Sequence, residues 1–171
     1  MKISNLFLLS LVSCLLSFST GCRYSKEYQT IDAGNKFTIA VPSWLKKDEK
    51  LKPGADFQYA NHYRNIYAIA ETADKSKADF ATTMNGNLNN LRKAMSNATV
   101  SDSIEVTVGG LKGERVEIFG KMNGENIYFS EVLLNGANNF YHISIWIRSE
   151  DRKLKYKEDI DHIINSFKEK G

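Results

Sequence analysis

The sequence predicts an α+β domain, a three-layer α/β/α sandwich in which helices cover both faces of a central, mostly antiparallel sheet. Three observations predict it. Between residues 113 and 148, alternating apolar runs are joined at Asn123-Gly124 and Asn135-Gly136. Asn-Gly between such runs is the strongest short-range hairpin signal, because both residues tolerate the positive φ of a type I′ turn. The last run, "FYHISIWIR", is apolar on both faces, so both faces need a cover. Two stretches with the helical apolar period, one starting at Phe80 and one ending at Phe167, are available to supply it.

The elements follow in order. Glu27 to Asp32 reads as a short first strand. Phe37, Ile39 and Val41 then alternate with Lys36, Thr38 and Ala40 until Pro42 stops the second strand. Ser43 to Leu51, rich in charge around Trp44 and Leu45, reads as a short helical turn or loop over the core, and Pro53-Gly54 punctuates the chain. Phe57 and Tyr59 belong to the first arm of a hairpin that turns near Asn61 and His62. Its second arm, Arg64 to Thr72, is apolar on both faces and is therefore a central strand. Ser76 with Asp79 three residues on has the capping-box spacing. Phe80, Met84, Leu88, Leu91 and Met95 then mark an amphipathic helix whose other face carries Asn85, Asn89, Asn90 and Lys93. Strands resume at Ser103, turn at Gly109-Gly110, and form a three-strand meander over residues 113–122, 125–134 and 139–148. A closing helix opens at Ser149, Glu150 and Asp151 and carries Tyr156, Ile160, Ile163, Ile164 and Phe167 on one stripe.

Ahead of this domain the chain begins "MKISNLFLLSLVSCLLSFSTGC", and both of its cysteines, Cys14 and Cys22, lie in that segment. Lys2 followed by an apolar stretch to Phe18 has the charge and length of an export signal and is too short to span a bilayer core of about 20 apolar residues. The small residues Ser19, Thr20 and Gly21 before Cys22 resemble the lipobox of bacterial lipoproteins, in which the cysteine is acylated and the leader is cut in front of it. Leu11, Val12 and Ser13 before Cys14 fit that pattern more closely at the position usually held by Leu. Acylation there would, however, leave a leader core of only about ten residues and put Leu15 to Phe18 into the mature chain. We therefore read residues 1–21 as a lipoprotein signal peptide, Cys22 as the lipidated residue, residues 22–26 as a tether and residues 27–171 as one domain. The other reading of the same segment is an ordinary secreted protein cut near Gly21. Two or more acyl chains hold a protein to a membrane for practical purposes permanently, so the expected location is the envelope, at a periplasmic or extracellular membrane face.

Charge and length exclude several classes. Of 23 Lys plus Arg, only Lys2 is lost with the leader, which leaves 22 against 20 Asp plus Glu. That near balance lacks the basic excess of a nucleic-acid binder. About 150 residues suit a single core. With no cysteine after position 22, the fold depends on packing rather than on disulfides.

Candidate chemistry is sparse. His62 falls in a turn, His142 in a strand and His162 in the last helix, with no metal-ligand spacing among them. Asp102 and Ser103 are neighbours and cannot flank one imidazole such as His142, as a catalytic triad requires, and there is no G-x-S-x-G elbow. Glu71 with Asp74, or Glu117 with Glu131, could flank a cleft as paired carboxylates, although surface carboxylates are commoner. Gly109-Gly110 lacks the Lys-Ser/Thr and the following helix of a phosphate loop. Trp146 reads as core and Trp44 as partly exposed. Lys46, Lys47, Lys50 and Lys52 read as a solvated loop, or as a face toward anionic headgroups if that segment lies on the anchor side. No catalytic, metal or cofactor site is assigned.

Three segments, "FTIAVPSWLKK", "DFQYANHYRNIYAIAE" and "FYHISIWIRSEDRKLKYKEDIDHIINSFK", resemble the PsbP-like superfamily over nearly all of residues 30–168. That superfamily includes the photosystem II extrinsic subunit, Ran-binding import factors and small bacterial lipoproteins. The resemblance implies a fold and a mode of action, the binding of other proteins, and carries over no catalytic residue. The expectation is a non-catalytic, membrane-anchored binding or assembly factor of the cell envelope, monomeric, with another envelope protein as partner and neither cofactor nor nucleic acid. Two alternatives stand beside it: a small envelope enzyme using carboxylates, and a carrier of an apolar ligand held between sheet and helix.

Overall fold

A computed structural model describes residues 27–170. The expected signal peptide, both cysteines and the tether lie outside the described residues. Strands β1 (Tyr28–Asp32), β2 (Phe37–Pro42), β3 (Lys46–Lys47), β4 (Phe57–Asn61) and β5 (Ile66–Asp74) precede helix α1 (Phe80–Ala94). Then come β6 (Ser96–Val100), β7 (Ile104–Val108), β8 (Leu111–Met122), β9 (Glu125–Asn135) and β10 (Asn139–Arg148). A 3₁₀ turn (Glu150–Arg152) leads into α2 (Lys153–Asn165), and β11 (Lys168–Glu169) closes the chain.

Every strand pair is antiparallel. One sheet has eight strands in the order β3-β4-β5-β10-β9-β8-β6, with β7 also on β8, and a smaller sheet has the order β1-β2-β11. The meander forms, but only one of its two Asn-Gly pairs makes the expected turn: Asn135 ends β9, neither it nor Gly136 takes positive φ, and residues 136–138 form a three-residue loop to β10. Asn123 and Gly124 both take positive φ, 53° and 82°, as the tight β8–β9 turn requires.

Alternation along the strands separates two cores. Tyr141, Ile143, Ile145 and Ile147 of β10 join Tyr128, Val132 and Leu134 of β9, Phe37, Ile39 and Val41 of β2, and Tyr156, Ile160, Ile163 and Ile164 of α2. Phe140 of β10 joins Ile127, Phe129 and Leu133 of β9 with Met84 and Leu88 of α1. Phe167 closes the first core between Phe37 and Tyr141, with ring centroids 5.1 and 5.0 Å away. Among the described residues both cores take their buried side chains from positions 37–167, all of which a chain from residue 23 onward retains.

Four further expectations are corrected. The cover of the first core is not helix alone, since the sheet β1-β2-β11 shares it with α2. The segment after Pro42 forms no helical turn at Lys46–Lys47 but an edge strand paired with Ala60 and Tyr59 of β4. The cap of α1 is Asp79, whose carboxylate accepts the Thr82 N–H at 2.7 Å, while Ser76 donates its own N–H to Asp74. Trp146 is half-buried rather than core: it stacks between Tyr67 and Phe129, with centroids 5.2 and 5.7 Å away, and packs at the margin of the second core. Trp44 is half-buried over Tyr156, as expected.

Candidate functional site

Strand register decides what stands on the sheet face beneath α1. In β10 the residues on that side are Phe140, His142, Ser144 and Trp146. Pairing with β5 sets His142 opposite Glu71, Ser144 opposite Ile69 and Trp146 opposite Tyr67. Pairing with β9 sets His142 opposite Leu133, Ser144 opposite Glu131 and Trp146 opposite Phe129. Period-two alternation thus brings four polar side chains from three strands together, Glu71, Glu131, His142 and Ser144, next to the aromatic row Tyr67, Trp146 and Phe129.

Glu131 is 0% exposed and is satisfied from both sides. Its Oε2 lies 2.5 Å from His142 Nε2, and its Oε1 accepts the Ser144 hydroxyl at 2.5 Å. Among the described residues the other imidazole nitrogen, Nδ1, has no hydrogen-bond partner and lies 3.7 Å from Glu71 Oε2, an ion-pair distance only. Glu71 in turn pairs with Lys52 at the rim. Burial disfavours charge on His142, but the Glu131 carboxylate, with Glu71 behind it, outweighs burial and pushes the imidazole up to about 9. His142 first, and Lys52 after it, hold the Glu71 carboxyl below the usual carboxylate range against its partial burial. The surroundings thus favour the cationic form of His142, which lies against Glu131 with Glu71 behind it.

A cavity of about 260 Å³ opens beside this cluster. Ile69, Leu91, Met122, Phe129 and Trp146 supply apolar wall, Leu51 and Lys52 close one side, and Asn87 and Asn90 of α1 stand opposite. His142, Glu131 and Ser144 belong to its lining.

The sequence candidates separate in space. Glu71, Glu131 and His142 converge. Asp74 is spent on the Ser76 N–H. Glu117 belongs to another network, pairing with Lys153 and accepting the Tyr128 hydroxyl at 3.0 Å. His62 is exposed and bonded to Asp48 at 2.7 Å, and His162 stacks on Tyr28 at 3.6 Å. Ser103 donates to Glu114 at 2.7 Å rather than to any histidine. Ser144 and Lys52 were not singled out as partners of the cluster. The signal for Ser144 was a hydroxyl in period two with His142, opposite a carboxylate stranded in the apolar run "IYFSEVLL". Among the described residues no group of three or more His, Cys, Asp or Glu is placed to hold a metal ion. No helix among them is long and apolar enough to cross a membrane.

Solved structures share this arrangement of strands and helices. The Ran-binding protein Mog1p of Saccharomyces cerevisiae superposes with a TM-score of 0.58 at 13% identity, over 84% of this chain and 95% of that one. The fold is a Mog1/PsbP-like fold. The Mog1/PsbP-like arrangement also matches LpqN of Mycobacterium tuberculosis, described as involved in cell envelope biogenesis, with a TM-score of 0.58 at 13% identity over 85% of this chain and 91% of that one. The cyanobacterial PsbP of Synechocystis matches with a TM-score of 0.57 at 13% identity over 87% and 96%. No family model matches the sequence, and no curated protein matches it. At these identities the likeness carries the fold and not the activity.

Proposed function

We propose that the chain is a lipid-anchored, non-catalytic binding or assembly module of a bacterial cell envelope, joined to its membrane at Cys22. In this reading α1 covers one face of the large sheet, α2 and the small sheet cover the other, and the partner is another envelope protein. One observation carries the non-catalytic reading. The buried acid–base groups, Glu131, His142 and Ser144, are bonded to one another, and the imidazole is held as a cation. A general base needs a free lone pair within reach of a substrate proton, and an imidazolium locked to a buried carboxylate offers none. The likeness to a Ran-binding protein and to a protein of envelope biogenesis supports a binding role and an envelope setting.

The test is cross-linking of the lipidated protein in its native membrane, followed by identification of what is attached. Cys22→Ser is expected to abolish lipid labelling and the cross-link, and Cys14→Ser to change neither. A folded His142→Gln variant that keeps its cross-linked partner but loses complementation of a deletion strain would favour an enzyme instead.

The cavity favours a second reading, a carrier of a compact apolar ligand. A dry cavity of about 150 Å³ accepts benzene, so 260 Å³ has room for a larger molecule. Native mass spectrometry of protein released from membranes would separate the readings, a stoichiometric adduct supporting the carrier.

A further inference from the structure

The end of the molecule where the described chain begins carries the most exposed large apolar side chains among the described residues. Glu27, the first described residue, accepts the Ser43 N–H at 2.8 Å, next to Trp44. The Trp44 carbonyl accepts from Asn61 at 2.8 Å, which draws in the β4–β5 turn. Arg64 of that turn lies 4.8 Å from the Trp44 ring, and its carbonyl accepts from Arg152 at 3.1 Å, which draws in the start of α2. These links gather four chain segments at one end. There Tyr63 is 94% exposed and Leu154 82% exposed. Leu154, in the first turn of α2, leans back toward the helix N-terminus and so toward this end.

The same end is basic. Lys46 donates to the Ser43 carbonyl, Arg152 to the Arg64 carbonyl, and Arg64 and Lys155 lie over the rings of Trp44 and Tyr156. These contacts with neutral groups do not cancel the charge. Against these four cations stand the carboxylates of Glu27 and Asp151 among the described side chains.

We propose that this end is a membrane-docking face, on which Tyr63 and Leu154 enter the headgroup region of a bilayer while Lys46, Arg64, Arg152 and Lys155 face anionic headgroups. The proposal rests on the reading of Cys22 as the anchor. Cys22 and Glu27 are five residue steps apart, a reach of at most about 18 Å, so an acylated Cys22 brings this end, and not the opposite one, to the lipid surface. Aromatic and aliphatic side chains with basic neighbours are the composition of an interfacial contact. Tethering raises the local concentration enough for individually weak contacts to set the orientation of the domain.

Two measurements test it. In the first, the lipidated full-length protein is placed in vesicles of phosphatidylglycerol and phosphatidylethanolamine with a spin label at Tyr63→Cys, Leu154→Cys or Asn138→Cys. The introduced thiol is the free one, because Cys22 is acylated and Cys14 leaves with the leader. Asn138 lies in the turn at the far end of β10, about 30 Å away by strand rise. Labels at 63 and 154 are expected to meet oxygen at the depth of the headgroup and acyl boundary, and the label at 138 to stay in water. In the second, the chain from residue 23 onward, without an anchor, is mixed with anionic or phosphatidylcholine vesicles. Salt-sensitive binding to the anionic vesicles is expected, about tenfold weaker in Tyr63→Ser with Leu154→Ser.

Binding in the second measurement, together with no lipid found on Cys22 of the full-length protein, would remove the anchor reading and leave the face standing. An anchored protein with labels at 63 and 154 as wet as the label at 138 would overturn the face. So would shielding of those labels only when another envelope protein is added, which would make this end a protein interface.

Discussion

The buried centre is built from two residues that break the pattern of their strands. Glu131 stands between Phe129 and Leu133, and His142 two places before Ser144, so each is a polar side chain on an apolar face. That much is legible in the sequence, as was the side of β10 on which His142 lies. Which carboxylate would meet it was not legible, because Glu71 is 71 positions from His142 and only the β5–β10 and β9–β10 registers choose between Glu71, Asp74, Glu117 and Glu131. A buried ion pair is retained at a desolvation penalty, and removing one partner strands the other. Glu131→Gln is therefore expected to cost about 3 to 5 kcal/mol, whereas Glu131→Leu with His142→Leu should stay within about 2 kcal/mol of wild type, the Ser144 hydroxyl losing its acceptor. Urea unfolding of the three proteins checks this. Because His142 is raised in the folded state, its contribution is complete below the ordinary imidazole value of about 6.5 and is lost as pH rises through about 9. Wild type should lose stability between about pH 6 and about pH 9.5, and the double variant should not. That window stays below the ionisation of Tyr128 and Tyr141, each pushed up to about 12. Glu71 acts in the opposite sense: its lowered carboxyl contributes above the usual carboxylate range and is lost as pH falls through its shifted value.

The helices were legible as elements, since their apolar spacing fixes both period and face. Their unequal security was also written in the residues. α1 contains Thr82, Thr83, Asn85, Gly86, Asn87, Asn89 and Asn90, all poor helix formers, and only Met84 and Leu88 within it are fully buried. α2 buries Tyr156, Ile160, Ile163 and Ile164 and is pinned by Arg115 to Asp161 at 2.8 Å. What could not be read was the cavity, because the helical period says which face turns inward but not how closely the helix approaches the sheet. We expect amide hydrogens of α1 to exchange faster than those of α2, with equal rates in the two helices counting against this account. Gly86 has nothing within 4 Å of where a Cβ would sit. Gly86→Ala should therefore stabilise the protein by about 0.5 to 1 kcal/mol and slow exchange in α1, as read by a thermal melt and by mass-resolved exchange.

At the scale of the whole molecule, β9 and β10 are shared by two cores, one on each face, and the chain's last residues lock the first of them. Phe167 lies past the end of α2, fully buried, and β11 follows it to pair Lys168 and Glu169 with Thr38 and Phe37 of β2. Its carbonyl runs so close to Gly109 that a Cβ there would stand 2.4 Å from the oxygen, and Gly109 also holds a φ of 57°. The sequence placed Phe167 on the helical stripe, and its burial was legible. The wrap of β11 was not, because two residues carry no period. Phe167→Ala removes a ring from the first core only, at an expected cost of about 3 to 5 kcal/mol, a large share of the 5 to 15 kcal/mol typical of a domain. Because the same strands form the floor of the second core, that loss should be felt there in full. Trp146, which borders the second core, reports on it when Trp44 is replaced by Phe. In that background the urea midpoint read from Trp146 fluorescence should fall with Phe167→Ala by as much as the midpoint read from far-ultraviolet circular dichroism. If the Trp146 midpoint stays where it was while the circular dichroism midpoint drops, the two cores unfold separately and the shared sheet does not couple them.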